Sequence, residues 1–315
     1  LRQWGQQNGD LVLFKPQDAL RGLDRLLAVD YMLKQPAQTV TVELLDAQGK
    51  ALRSFAGTAA DAAAPATSAT FSRGMPPNPK PSVGAGLHRL NWDLRYPPAT
   101  SFPGMIMWSG STAGPIAPPG TYQVRVTADS QTQTRSFAVK REPTLLANVT
   151  DAELQQQFDL AMKINGKVSA AHEGVLLVRG IRPQITDRQS KLDSKTGPTA
   201  KALEDLEKNL TAVEVQLYQT KNQSGQDPLN FPIKLNNKIA ALQGVVESAD
   251  AAPTEQSGEM YEMLAGRVGE QLNKLDSTVK TQLPAVNGLL QRQKLEPIKA
   301  EPLKLEAPKK PGADK

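Results

Sequence analysis

The chain has 315 residues, 39% of them hydrophobic and 22% charged, enough apolar material for a packed core in about two domains. Lysine plus arginine exceed aspartate plus glutamate by 37 to 32, a net charge of +5 spread over the whole chain, which is too weak for the basic footprint of a nucleic-acid binder. There is no cysteine and there are two histidines, so disulfide scaffolds, thiol nucleophiles and cysteine-ligated metals are excluded.

The opening, LRQWGQQNGD, lacks an initiator Met, a basic n-region and an apolar h-region, and no 18-residue apolar stretch follows. It reads as cut from something longer, with residues 1–28 a connecting segment.

From there to residue 141 the pattern has a period of two. Asp30 to Lys34 is a candidate opening strand. Val40, Val42 and Leu44 alternate with Thr39, Thr41 and Glu43, and Ala51 to Phe55 returns after the Asp46–Lys50 turn, where Gly49 is free to take a positive φ. In LHRLNWDLRY, His88, Leu90, Trp92, Leu94 and Tyr96 share a face. Tyr122, Val124 and Val126 follow the turn Pro118-Pro119-Gly120, and Thr132–Val139 returns after Asp129-Ser130. Short strands separated by turns predict an antiparallel Ig-like β-sandwich over 29–141. Two stretches interrupt it. Residues 56–85, rich in Ala, Thr, Ser, Gly and Pro, read as a long loop. FPGMIMW, Phe102–Trp108, is an apolar run between Pro/Gly segments. It either folds back onto the sandwich or forms a docking surface, and Phe102, Met105, Ile106, Met107 and Trp108 are the candidate interface residues.

Residues 142–293 change to helical periodicity. Thr150-Asp151-Ala152-Glu153 is a capping box. Leu154, Phe158, Ala161, Ile164, Val168, Ala171, Val175, Val178, Ile181 and Ile185 then recur in steps of three and four. Pro183 is expected to kink or end this helix. Further stripes run over Leu203–Leu217, Leu235–Ala249 and Tyr261–Leu283, the last disturbed by Pro284. Four single-striped helices predict an antiparallel four-helix bundle. It is expected to be elongated, since Thr254 to Gln282 alone would reach roughly 43 Å. The tail, 294–315, repeats LEPIK, AEPLK and LEAPK. It reads as polyproline-like or disordered, or as a segment lying along the protein through Ile298, Leu303 and Leu305.

Motifs for chemistry are scarce. There is no G-x-S-x-G elbow, phosphate-binding loop or dinucleotide fingerprint. His88 falls in an expected strand and His172 on a helix beside Glu173, with no second histidine at ligand spacing. Asp93 reads as a turn cap or ion-pair partner. No catalytic, cofactor-binding or metal-ligating residue is nominated.

GLHRLNWDLRYPP (86–98), FPGMIMW (102–108), APPGTYQVRVTADSQTQTRSFAVKREP (117–143), DAELQQQFDLAMKI (151–164) and DPLNFPIKLNNKIAALQGVVESADAAPTEQS (227–257) together resemble one known arrangement. It is the C-terminal region of bacterial sortilin-like Asp-box β-propeller proteins, often labelled BNR-repeat or VPS-ten-type glycosyl hydrolases. LRQWGQQ…LFKP resembles the exit from such a propeller. W-D-L-R and P-P-G-T-Y also recur in Ig-like modules of the flagellar-hook-capping type. The family's S-x-D-x-G-x-x-W repeats are absent, so no hydrolase residue carries over to this chain. The resemblance implies a non-catalytic interaction or scaffold module of an exported bacterial protein, periplasmic or at the cell surface, packing against a β-propeller domain or another protein chain. Two alternatives stand beside it: part of a glycan or peptide hydrolase whose site lies mainly in the propeller, and a structural subunit of a larger surface assembly.

Overall fold

The computed structural model describes residues 9–22, 25–62 and 79–303. The chain is mixed α+β and divides into two compact units. The first comprises the described residues of Leu1–Pro98, Ala113–Asp159 and Ala249–Ala252; the second comprises those of Ala99–Thr112, Leu160–Ser248 and Pro253–Lys315.

The first unit carries the strands β1 (Leu11–Leu13), β2 (Ala19–Arg21), β3 (Leu27–Leu33), β4 (Thr39–Leu45), β5 (Ala51–Thr58), β6 (Gly86–Trp92), β7 (Gly120–Ala128) and β8 (Gln131–Arg141). They form a three-stranded sheet, β1-β3-β6, and a five-stranded sheet, β2-β8-β7-β4-β5. Every pairing is antiparallel except β2 with β8. The alternation expected of half-buried strands is present: Leu27, Val29, Tyr31 and Leu33 of β3 and Val40, Val42 and Leu44 of β4 point inward. Both sheets contribute to one core. Trp92 from the first sheet meets Tyr122 and Phe137 from the second edge-on, with centroids 6.2 and 6.3 Å away.

The turns follow from their residues. Asp46 Oδ1 accepts from the N–H groups of Gln48 and Lys50, and Gly49 takes φ +82°. At the β7–β8 turn Asp129 takes φ +50°, and its carboxylate accepts from the N–H groups of Thr39 and Gln38, which hold its pKa below the ordinary value. Asp93 caps a turn by accepting from the Arg95 N–H at 3.2 Å. That turn ends β6 at Trp92, so Leu94, expected in the strand, lies beyond it at φ +57° and is still buried.

Two expectations change here. Residues 1–28 are not merely a connector, because β1 and β2 lie within them and Leu11, Val12 and Leu13 are buried. The edge of β1 is covered by amides: Gln131 and Gln133 accept from the N–H groups of Leu11 and Leu13, and Gln133 donates to Leu11 O. In the stretch 56–85, β5 continues to Thr58 and a short helix α1 (Ala59–Ala62) follows; the heart of that expected loop, 63–78, lies outside the described residues.

The helices are α2 (Asp151–Ser190), α3 (Pro198–Leu217), α4 (Leu235–Val246) and α5 (Glu255–Arg292). The capping box forms as read: Glu153 donates its N–H to Thr150 Oγ1, and Glu153 Oε2 accepts from the Thr150 N–H. The bonds from the Thr150 N–H and hydroxyl to the Glu153 carboxylate hold its pKa below the ordinary value. Pro183 does not end α2, nor does Pro284 end α5. A proline inside a helix costs about 3 kcal/mol. Buried Ile181 and Ile185 flank the first, and buried Leu283 and Val286 flank the second, so packing on both sides outweighs the lost donor.

The second unit's helices do not meet around one common core. Ala171–Ile185 of α2 pack with α3 and with Val268–Leu290 of α5. Ile164 and Val168 of α2 pack instead with α4 and with Leu264 of α5. The short α3 and α4 thus serve successive stretches of the two long helices. The tail is described as far as Leu303, where it is extended and rests on α2 and α5; Leu305 and the remainder to 315 lie outside the described residues.

Candidate functional site

The apolar run Phe102–Trp108 lies in a loop, Ala99–Thr112, that belongs to the helical unit and not to the two-sheet unit. Its base is closed by the Ala99 N–H donating to Thr112 O at 2.8 Å. Thr100 is fixed on three sides: its N–H donates to Ser169 Oγ, its hydroxyl to Glu173 Oε1 at 3.0 Å, and its carbonyl accepts from His172 Nδ1.

That last contact sets the histidine's tautomer. A carbonyl oxygen only accepts, so His172 Nδ1 carries the proton, and Nε2 is left to accept from Asn236 Nδ2 at 3.0 Å. His172 is fully buried, and burial pushes its pKa below the ordinary value. It is a neutral strut for the loop. His88 is structural as well. Its Nε2 pairs with Gly84 O at 2.7 Å and its ring lies 5.3 Å from that of Tyr31.

Phe102 is the loop's main anchor, 6% exposed. Its ring meets His172 and Tyr218 edge-on, at 5.5 and 5.1 Å. The Arg179 guanidinium lies 4.6 Å over Phe102 and 5.1 Å over Tyr218. Arg179 and Arg182 both pair with Glu214, at 2.8 and 2.7 Å, and this carboxylate is otherwise buried. Met105 and Met107 are half-buried against the two helical cores, and Ile106 donates its N–H to Tyr218 Oη at 3.0 Å.

Trp108 differs from its neighbours. Its main chain is held on both sides by one residue: the N–H donates to Asn237 Oδ1, and the carbonyl accepts from Asn237 Nδ2, both at 2.6 Å. Gly110 lets the loop run this close to α4, since a Cβ there would lie 3.1–3.4 Å from Asn237 and Ala240. The Trp108 side chain is nevertheless 40% exposed. The nominated residues are therefore brought together, but with unequal roles: Phe102 faces inward, Met105, Ile106 and Met107 are partly covered, and Trp108 faces out. Sequence reasoning missed His172, Asn236, Asn237, Tyr218 and Arg179 as the loop's seat, because no local pattern marks residues that meet the loop only through the fold.

Elsewhere in the helical unit, a groove of about 700 Å³ is lined by Asn209, Gln216, Gln271, Ser277 and Gln282 among others. Lys274 is its one charged lining residue, so it offers hydrogen bonds without an acid–base pair. Among the described residues no three histidine, aspartate or glutamate side chains converge as a metal site, and no helix is long and apolar enough to cross a membrane.

No family model and no curated protein matches the chain. Among solved structures, CopC from Methylosinus trichosporium OB3b is 13% identical over 42% of this chain and 95% of its own, with a TM-score of 0.22. The Ig-like domain of human Leucine-rich repeat-containing protein 4 is 16% identical over 44% and 90%, with a TM-score of 0.20. A protein titled pT26-6p is 12% identical over 85% and 49%, with a TM-score of 0.17. TM-scores of this size establish no shared fold.

Proposed function

We propose that this chain is a non-catalytic interaction module of an exported, sortilin-like protein, and that it packs against a β-propeller domain or chain through the Ala99–Thr112 loop. In this reading the two-sheet unit is an Ig-like sandwich and the helical unit a variant of an antiparallel bundle. The observation that carries the reading is Trp108: an indole 40% exposed on a main chain clamped at both N–H and carbonyl by Asn237. An aromatic side chain on a rigid backbone loses little freedom on binding, and tryptophans are enriched among the residues that dominate interfaces. Ile106 and Met107 extend the contact, while Phe102 and Met105 hold the loop in place. The buried ionic groups support the same reading, because Arg21, Glu214 and His172 are each engaged in structural contacts.

The test is association of the purified chain with a β-propeller of the sortilin-like type, followed by sedimentation velocity. Complex formation is expected, and W108A should weaken it by about 30-fold, the loss typical of a central anchor. The reading fails if the two do not associate, or if W108A binds as the unaltered chain does.

A further inference from the structure

The last described segment, Leu295–Leu303, is bound the way a peptide ligand is bound. Two amide side chains read its main chain from both sides. Asn287 Oδ1 accepts from the Ile298 N–H at 2.7 Å, and Asn287 Nδ2 donates to Ile298 O at 2.9 Å. Gln184 Oε1 accepts from the Lys299 N–H at 2.9 Å, and Gln184 Nε2 donates to Lys299 O at 3.0 Å. Arg188 adds a bond from Nε to Glu296 O at 2.8 Å and an ion pair with the Glu296 carboxylate at 3.1 Å. The Leu303 N–H donates to Leu176 O at 2.9 Å. Ile298 is the side chain buried by this docking, 2% exposed among core residues of α2, α3 and α5. Gly180 leaves α2 bare where the strap crosses, since a Cβ there would stand 2.0 Å from Glu301 O.

The strap reaches its groove through a sharp reversal at the end of α5. The Leu295 N–H donates to Leu290 O at 3.0 Å, and Lys294 takes φ +58°. This left-handed position after a helix is the one at which glycine is favoured and a side chain is opposed. The reversal is made at a residue that resists it, and a short hinge under such strain invites exchange of the segment beyond it.

We propose that the strap is exchanged between two copies of this chain, so that Leu295–Leu303 of each molecule fills the α2–α5 groove of the other. The exchange needs no new surface, because every contact it makes already exists within one molecule. It gives a closed two-fold pair, the usual form of a swapped dimer. The second copy is the partner that the groove fits: it carries Glu296 for Arg188, an aliphatic Ile298 for the buried pocket and the main-chain groups of Ile298 and Lys299 in the required order. The gain is at the hinge, where Lys294 leaves the left-handed region. The opposing factor is tethering, which gives the molecule's own strap an effective concentration near millimolar.

The full chain is refolded at protein concentrations up to about 1 mM, the scale of that tethering, and followed by native mass spectrometry and sedimentation velocity. A dimer is expected, and light and isotope-labelled chains refolded together should form mixed dimers. K294G accepts the left-handed conformation freely, and should lower the dimer population by about tenfold. K294P, with φ locked near −65°, cannot make the reversal and should raise it. Deleting 295–315 should abolish it. The proposal is overturned if neither the unaltered chain nor a folded K294P dimerises at about 1 mM, if K294G leaves the dimer population unchanged, or if the dimer survives the deletion. Should K294P fail to fold, K294G and the deletion still decide the matter.

Discussion

Arg21 and Asp250, 229 residues apart in sequence, form a buried ion pair, with Arg21 Nε donating to Asp250 Oδ1 at 2.9 Å and the two side chains 1% and 7% exposed. Arg21 lies on β2, and Asp250 lies in the short segment Ala249–Ala252 that belongs to the same unit. The guanidinium also donates to Ala117 O and to Gln157 Oε1, and Gln157 donates in turn to Ala249 O at 2.6 Å. Four distant stretches of chain are thus tied by one cation. Removing the carboxylate leaves a buried charge short of its counter-ion, which costs about 3–5 kcal/mol. D250A should therefore lower the stability by that amount in urea unfolding. R25A removes a partner of the same carboxylate that is 28% exposed. It should cost less than about 1 kcal/mol, as partly exposed pairs do.

His172 makes stability depend on pH above the range where carboxyls titrate. Its folded pKa lies below the ordinary value, because burial disfavours the charged ring more than the Thr100 bond and the nearby Glu173 favour it. The unfolded chain takes up the proton first, from about pH 6.5 downward. Stability is thus full above that pH and declines as pH falls toward the folded pKa, by at most about 1.4 kcal/mol per pH unit. The carboxylates whose pKa values are lowered, Asp129, Asp18 and Glu153 among them, act in the same direction but at pH near 4 and below. Urea midpoints measured from pH 7.5 to 5 should fall for the unaltered chain, and H172Q should flatten that part of the curve while lowering stability at pH 7.5.

The parts that could be read from the sequence are those governed by neighbours in the chain. The β4–β5 turn was legible from Asp46 and Gly49, the α2 start from Thr150 and Glu153, and the inward faces of β4 and β7 from alternation. Strands β1 and β2 were not, because three residues do not make a period. Pro183 and Pro284 do not end their helices, because local propensity gives way to the packing of Ile181, Ile185, Leu283 and Val286 around them. FPGMIMW left open whether it folded back onto the strands or formed a docking surface, and nothing local pointed to the helices that seat it. The amides that seat it and the strap, Asn236, Asn237, Asn287 and Gln184, carry no pattern, since their role depends on which backbone passes overhead. Of the tail's expected anchors Ile298, Leu303 and Leu305, Ile298 is buried, Leu303 is 41% exposed and Leu305 lies outside the described residues.

The inward and outward halves of the loop should separate in stability measurements. Phe102 fills a pocket made by His172, Tyr218 and the Arg179 guanidinium. F102A removes a buried ring and leaves a cavity, at a cost of about 3–5 kcal/mol. W108A removes a half-exposed indole, and the Asn237 clamp on its main chain is retained, so the loss should stay under about 1 kcal/mol. Thermal or urea unfolding of the two variants side by side checks this. Equal losses would mean that the Trp108 indole is as much a part of the helical core as Phe102.

Gly180 should behave against helix propensity. Alanine is favoured over glycine inside a helix by about 1 kcal/mol, so G180A taken alone should strengthen α2. Its Cβ, however, would stand 2.0 Å from Glu301 O and 2.7 Å from Leu303 N, both main-chain atoms with no freedom to rotate aside. The strap must lift at this point, which removes the Leu303–Leu176 bond and loosens the Gln184 grip on Lys299. Lys299 is a tryptic site whose main chain is otherwise held on both sides. A loss of about 1.4 kcal/mol in strap docking is a tenfold rise in the open population. Trypsin should therefore cut G180A after Lys299 at least about tenfold faster than the unaltered chain, while the midpoint for unfolding the helices stays level or rises. A cleavage rate unchanged by the substitution would mean that the strap does not close over Gly180 in solution.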